Sequence, residues 1–138
     1  ARPFNYTGVG QAENFVIPKI VSHFKRRSEN IELGNLDVWR DFSDVRDVVS
    51  AYRKLVEYQP KNGVFNVASG KSYSLREIIS MCEEISGHSI NINVNPAFIR
   101  ANEVKELCGD ASRLKTLIGD FSNYNIKETL RWMLDSKA

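Results

Sequence analysis

The sequence is poor in the residues that metal and nucleophilic centres use most. Its 138 residues include two cysteines and two histidines. Cys82 and Cys108 stand in no CxxC or Cys/His spacing, which argues against the common zinc frameworks, and Cys82 reads as a buried, reduced thiol. His23 and His88 are far apart and read as surface residues of a helix and a loop. Long apolar runs are also lacking. None approaches the ~18 residues of a membrane span, and no charged-then-apolar leader opens the chain, so a cytoplasmic protein without a membrane partner is expected. Charge of one sign is missing too: acids and bases nearly cancel to a formal +2. That balance, with no basic stripe interleaved with aromatics, disfavours nucleic acid as a partner. Walker, GxSxG and HExxH motifs are absent.

What is present is a dense alternation of amphipathic helices and short strands. Val16, Ile20 and Phe24, with Ile17 and Val21, predict a helix over 13–27, with Pro18 tolerated in its first turn. Short strands are predicted at 30–34 and 38–42. Val45, Val48, Val49, Tyr52, Leu55 and Val56 then form one stripe of a helix that ends near Tyr58, capped by Ser43 or Asp44 with Asp47 near its positive end. The run KNGVFNVAS predicts a turn and a buried strand. Ser74 and Glu77 have capping-box spacing and open a helix that Gly87 ends. Ile90, Ile92 and Val94 alternate as in a half-buried strand, and helices are expected at about 110–118 and 127–136. The length fits one domain, and the order lacks the regular βαβ repetition of a complete doubly wound sheet. The fold class is therefore α/β, a small mixed unit suited to packing against something else.

Few motifs carry chemistry. GVGQAE, from Gly8, has Glu13 where a dinucleotide fingerprint needs its third glycine, and its glycines are better explained by a turn. Arg40, between Trp39 and Phe42, is either an ion-pair partner or a phosphate clamp, since guanidinium matches phosphate oxygens in bidentate fashion. Arg100 and Glu103 have a spacing that also makes an ordinary helix-surface pair. Lys25 to Arg27 suit a solvated helix terminus.

Taken together, RPFNYTGVGQ, ENFVIPK, GNLDVWRDFSDVRDVVSAY, VFNVASGKSYSLREI and IRANEVKELCGDASRLK resemble, in order and spacing, the C-terminal substrate-binding portion of extended short-chain dehydrogenase/reductases acting on nucleotide sugars. GNLDVWRDF followed by SDVRDVV is similar to their GDP-mannose branch of reductases and 4,6-dehydratases. The pattern of Phe4–Gln11 and the DFSDVRDVVSAY run look more like the reductases. Lys19 falls where the dehydratases place a lysine; Ala101 and Glu103 depart from a common proline and aspartate.

The resemblance implies one domain over 1–138, with most of the dinucleotide-binding Rossmann domain and its Tyr-x-x-x-Lys pair lying upstream. Asn5, Lys19, Arg40 and Arg100 would hold the diphosphate of a GDP-sugar. Glu103 would accept a ribose hydroxyl, and Val16, Asn35 and Leu36 would line the base pocket. Pro3 and Phe4 would approach the nicotinamide. The intact parent would use NADP or NAD to reduce a C4 ketone and would be a homo-oligomer. This chain alone would hold no cofactor and no catalytic residue. A non-catalytic binding module of the same fold is the alternative.

Overall fold

The computed structural model of the chain describes residues 1–99 and 101–137. Two strands open it, β1 (Arg2–Pro3) and β2 (Asn5–Thr7), followed by α1 (Val16–Lys25), β3 (Asn30–Leu33), β4 (Trp39–Asp44) and α2 (Val45–Tyr58). Next come β5 (Asn66–Val67), β6 (Ser72–Ser74), α3 (Leu75–Ser86) and β7 (Asn91–Val94). A 3₁₀ turn at Pro96–Phe98, β8 (Glu106–Leu107), α4 (Ser112–Ile118) and α5 (Ile126–Asp135) complete the order. No helix among the described residues is long and apolar enough to cross a membrane.

Local chemistry sets most of the helix ends. Asp44 accepts the Arg46 backbone N–H at the start of α2. Reciprocal capping boxes start α3, through Ser74 and Glu77, and α5, through Asn125 and Glu128. α1 has no side-chain cap, and Pro18 lies in its first turn, where a missing N–H is harmless.

The strands form three small sheets rather than one. β1 pairs with β5, and β3 with β7, both in parallel. β4 organises the third: β6 runs antiparallel to it at Trp39–Asp41, while β8 and β2 run parallel to it at Trp39–Arg40 and Phe42–Asp44. Two cores result. The larger gathers α1, α3 and α5 over β3, around Phe24, Ile31, Ile78 and Leu130. The smaller joins α2, β5 and α4 through Ala51, Val67, Leu114 and Phe121.

The stripe expected on α2 is only partly buried. Val48 and Ala51 point inward, whereas Val49, Tyr52 and Val56 are exposed, Val56 by 73%. The reason is that Asp47, on the inward face, is itself buried, so the helix is rotated toward its polar partner. The strand expected in VFNVAS shrinks to two residues, because the following Ser69 and Gly70 turn their backbone N–H groups onto Asp41. Gly8 is required by packing rather than by a turn: a Cβ there would lie 2.5 Å from Val45 Cγ1 and 3.1 Å from the Trp132 ring.

Candidate functional site

Pairing along β4 brings several predicted residues together. Asn5 lies opposite Phe42 in the β2–β4 ladder. Arg40 is paired with Leu107 on one side and Tyr73 on the other. Alternation along a strand and matched pleats across a ladder place Asn5, Arg40, Phe42 and Tyr73 on one face. Glu103 reaches this face from the segment leading into β8, 3.6 Å from Arg40 Nη2. The two side chains are 21% and 19% exposed.

Neither member of this pair is saturated. Arg40 Nη1 donates to the Trp39 carbonyl at 2.8 Å and, more weakly, to that of Lys105 at 3.5 Å, which anchors one edge of the guanidinium. Among the described residues the other edge has only the long contact to Glu103. Glu103 Oε2 is buried and accepts from no described group. A buried carboxylate oxygen without a donor is costly, by ~1–3 kcal/mol or more, unless a ligand or water supplies one. Glu103 lies in a turn, not on a helix, so the helix-surface reading of its pairing fails. Arg100 lies outside the described residues.

Asn5 donates Nδ2–H to the Asp41 carbonyl at 3.2 Å, which leaves its other N–H and its oxygen available. Beside this face a cleft of about 460 Å³ is lined by Phe42, Ser69, Lys71, Tyr73 and Tyr124, among others. Burial, with the nearby charges of Glu77 and Asp41, raises the Tyr73 hydroxyl above its ordinary value, so it keeps its proton there.

The remaining predicted residues form a separate group. Val16 and Lys19 sit on α1, and Lys19 Nζ donates to the Glu32 carbonyl at 2.7 Å and lies 4.9 Å from the centre of the Phe98 ring. Asn35 accepts the Asp37 N–H at 3.0 Å, and Leu36 is buried in the larger core. These residues border the loop after β3. Pro3 and Phe4 lie on the side of the smaller core, where Phe4 N–H donates to the Val67 carbonyl at 2.9 Å.

The stretch from Gly8 to Glu13 is not built as a dinucleotide-binding loop. The glycine-rich stretch lacks its third glycine, and Gly8 is closed off by Val45 and Trp132. Both histidines are half-buried rather than on the surface, each tied to a carbonyl: His23 to Lys19 and His88 to Ser28, both at 2.8 Å. Burial pushes the Cys82 thiol up to about 12, as an inert core residue requires.

Asp41 was not singled out by sequence reasoning. It is 0% exposed and sits where the β4 edge passes from β8 to β2. Nothing in the sequence marked it beyond its place after Arg40, since the groups that bond its carboxylate lie 28 to 68 residues away.

A family model described as GDP-mannose 4,6 dehydratase matches residues 1–133. The chain is 36% identical over 137 residues to the GDP-6-deoxy-D-talose 4-dehydrogenase of Aggregatibacter actinomycetemcomitans, covering 99% of this chain and 47% of that protein. It is also 36% identical to the GDP-6-deoxy-D-mannose reductase of Pseudomonas aeruginosa, covering 97% of this chain and 46% of that protein. Among solved structures, a Burkholderia cenocepacia J2315 protein matches with a TM-score of 0.95 and 50% identity, over 97% of this chain and 44% of that one. RMD from Pseudomonas aeruginosa complexed with NADPH matches with a TM-score of 0.89 and 34% identity, over 96% and 46%. The chain thus spans about half the length of the curated relatives it matches.

Proposed function

Because the chain belongs to the GDP-mannose 4,6 dehydratase family, we propose that it forms the substrate-holding half of an NAD(P)-dependent reductase acting at C4 of a GDP-4-keto-6-deoxyhexose. The observation that carries this reading is the half-open Arg40–Glu103 pair, a cation and an acceptor on one face, each with unused hydrogen-bonding capacity. The names of the two 36% identical relatives, a dehydrogenase and a reductase of GDP-6-deoxysugars, favour reductive chemistry over dehydration.

In this reading the free edge of Arg40 grips the diphosphate, exchanging a long carboxylate contact for short charge-assisted bonds. Arg100 is the second clamp. Asn5 offers its remaining N–H to the same group without adding charge. Glu103 Oε2 accepts a ribose hydroxyl, which satisfies the buried oxygen. Lys19 adds a further positive charge for the diphosphate, and Val16 and Asn35 border the base, with Leu36 supporting them from the core.

The nicotinamide, when bound by the rest of the parent, supplies a hydride to the ketone. Pro3 and Phe4 form the edge that faces it. This chain's own part is orientation. By fixing the nucleotide at a distance from the reacting carbon, it turns binding energy into alignment.

The test is calorimetric titration of the 138-residue chain with GDP, UDP, CDP and dTDP at one ionic strength. Selective GDP binding is expected, and Arg40→Ala should weaken it by about 1.5–3 kcal/mol, the scale of a hydrogen bond to a charged group. Equal affinity in a folded Arg40→Ala chain would overturn the assignment of Arg40.

A further inference from the structure

The buried Asp41, next to Arg40 in β4, takes donors from three separate segments of the chain. Its Oδ1 accepts the Ser69 backbone N–H at 2.9 Å and the Ser69 hydroxyl at 2.7 Å. Its Oδ2 accepts the Gly70 N–H at 2.9 Å and the Gly109 N–H at 3.1 Å, with the Cys108 thiol at 3.9 Å. Its carbonyl oxygen accepts Asn5. No Arg, Lys or His is an ion-pair partner of Asp41 among the described residues, so polar N–H and O–H donors alone hold a fully buried carboxylate.

The position explains the need. β8 pairs with Trp39 and Arg40, and β2 with Phe42 to Asp44, so the ladder along this edge is interrupted at Asp41. Asn5 and Gly109 close the gap, one on the Asp41 carbonyl and the other on its carboxylate. Gly109 is wedged so closely that a Cβ would collide with the Ala68 methyl and come within 3.0 Å of the Phe4 ring. No other residue could bring its N–H to the carboxylate without moving Ala68 or Phe4.

We infer that Asp41 is the positioning residue of the nucleotide site: its carboxylate pins the segment from Glu103 to Gly109 against β4 and sets the register of Glu103 against Arg40. This inference rests on the nucleotide reading of the Arg40 face. Asp41 itself points to the opposite face of the strand from Arg40. It therefore acts through the backbone it holds and does not touch the ligand.

Each oxygen carries at least two donors, so replacing one oxygen by an amide nitrogen orphans two or more at once, whichever way the new side chain turns. Asp47 provides the matched control. It is also buried, and it also accepts loop N–H groups, from Asn123 at 3.0 Å and Tyr124 at 3.1 Å, but these partners lie across the cleft and neither bonds Arg40 or Glu103 among the described residues.

The experiment compares the unaltered chain, Asp41→Asn and Asp47→Asn by GDP titration, with amide NMR spectra of each. For Asp41→Asn the amide resonances of Ser69, Gly70 and Gly109 should move, and the GDP dissociation constant should rise about tenfold or more, as displacement of a positioned group by about an ångström does. Asp47→Asn should shift Asn123 and Tyr124 and leave GDP affinity unchanged. If Asp41→Asn does not fold, Ser69→Ala decides: it deletes one donor to Oδ1, and about a threefold loss of affinity in a folded chain supports the role.

If the unaltered chain binds GDP and the folded Asp41→Asn, or the fallback Ser69→Ala, binds it equally well, the role of Asp41 is overturned while the nucleotide reading stands. The same holds if both aspartate variants lose affinity alike, because general loosening then explains the effect. If the unaltered chain binds none of the nucleotides, the nucleotide reading is overturned, and this inference with it.

Discussion

The middle of β4 and the first turn of α2 are six residues apart in sequence, built with the same chemistry and put to opposite ends. Asp41, Asp44 and Asp47 are all buried. At the α2 end Asp44 and Arg46 have both found partners, although the neighbouring Ser43 hydroxyl has none among the described residues. Asp44 takes the Arg46 side chain at 2.7 and 2.9 Å and the Thr129 hydroxyl at 2.7 Å. The Arg46 guanidinium lies 3.6 Å from the Tyr124 ring centre and 3.9 Å from that of Trp132. At the β4 end the carboxylate is equally satisfied, but the side chains it positions are not: Glu103 keeps a bare oxygen and Arg40 an open edge. A buried carboxylate thus stands in a lock where the neighbouring cation is closely bonded, and beside an open site where the neighbouring cation has only a long contact.

That contrast can be broken first at the lock. Asp44→Ala should destabilise the chain by about 3 kcal/mol or more, because it strands Arg46 and Thr129 and removes a helix cap together, as seen in chemical denaturation. Its GDP affinity in the remaining native fraction should not change; a parallel loss of both would show that the two regions are not separable.

Acid is a milder probe of the same group. Burial works against ionisation of Asp44, yet the bonds from the Arg46 side chain, Thr129 and the Arg46 N–H outweigh it and hold the carboxyl below its ordinary 3.8. The folded state therefore binds this proton less tightly than the unfolded chain. The contribution is complete above 3.8 and is lost as pH falls through the lower folded value. Thermal unfolding followed from pH 6 to pH 2 should show a decline in this acid range, smaller in a folded Thr129→Val chain.

The smallest effect belongs to the site. Burial and the charge of Asp41 raise the Cys108 thiol, so a thiol reagent should label it slowly, and Asp41→Asn should quicken labelling by about two- to threefold. Cys82, 0% exposed, should stay unlabelled until the chain unfolds.

How much of this was legible follows from how far each interaction reaches along the chain. Asp44 could be read as a cap because its backbone donor is two residues away. The Ser74 capping box and the end of α3 at Gly87 were legible for the same reason. The role of Asp41 was not, since Gly109 lies 68 residues on, and neither were β6, β8 or the rotation of α2, which tertiary partners decide. Val49, Tyr52 and Val56 fit an apolar helix period as well as Val48 does; only the burial of Asp47 sets which side turns inward. Arg40 and Glu103 were singled out separately through resemblance, while their contact with each other was not legible, because the spacing of Glu103 suggested Arg100 as its partner.

The parallel ladders carry a consequence for how the chain is made. Arg2 pairs with Asn66, Asn30 with Asn91 and Arg40 with Leu107, so β1 and β3 leave the ribosome before their partners exist, and β4, which already has β2, leaves before β8. At ~5–20 residues per second, β1 waits about 3–13 s for β5 to be synthesised. Helices with caps close at hand can flicker into shape in microseconds during that interval, but the ladders must await distant closure. The nascent chain therefore spends seconds with open strand edges, the period in which it most needs protection from its neighbours.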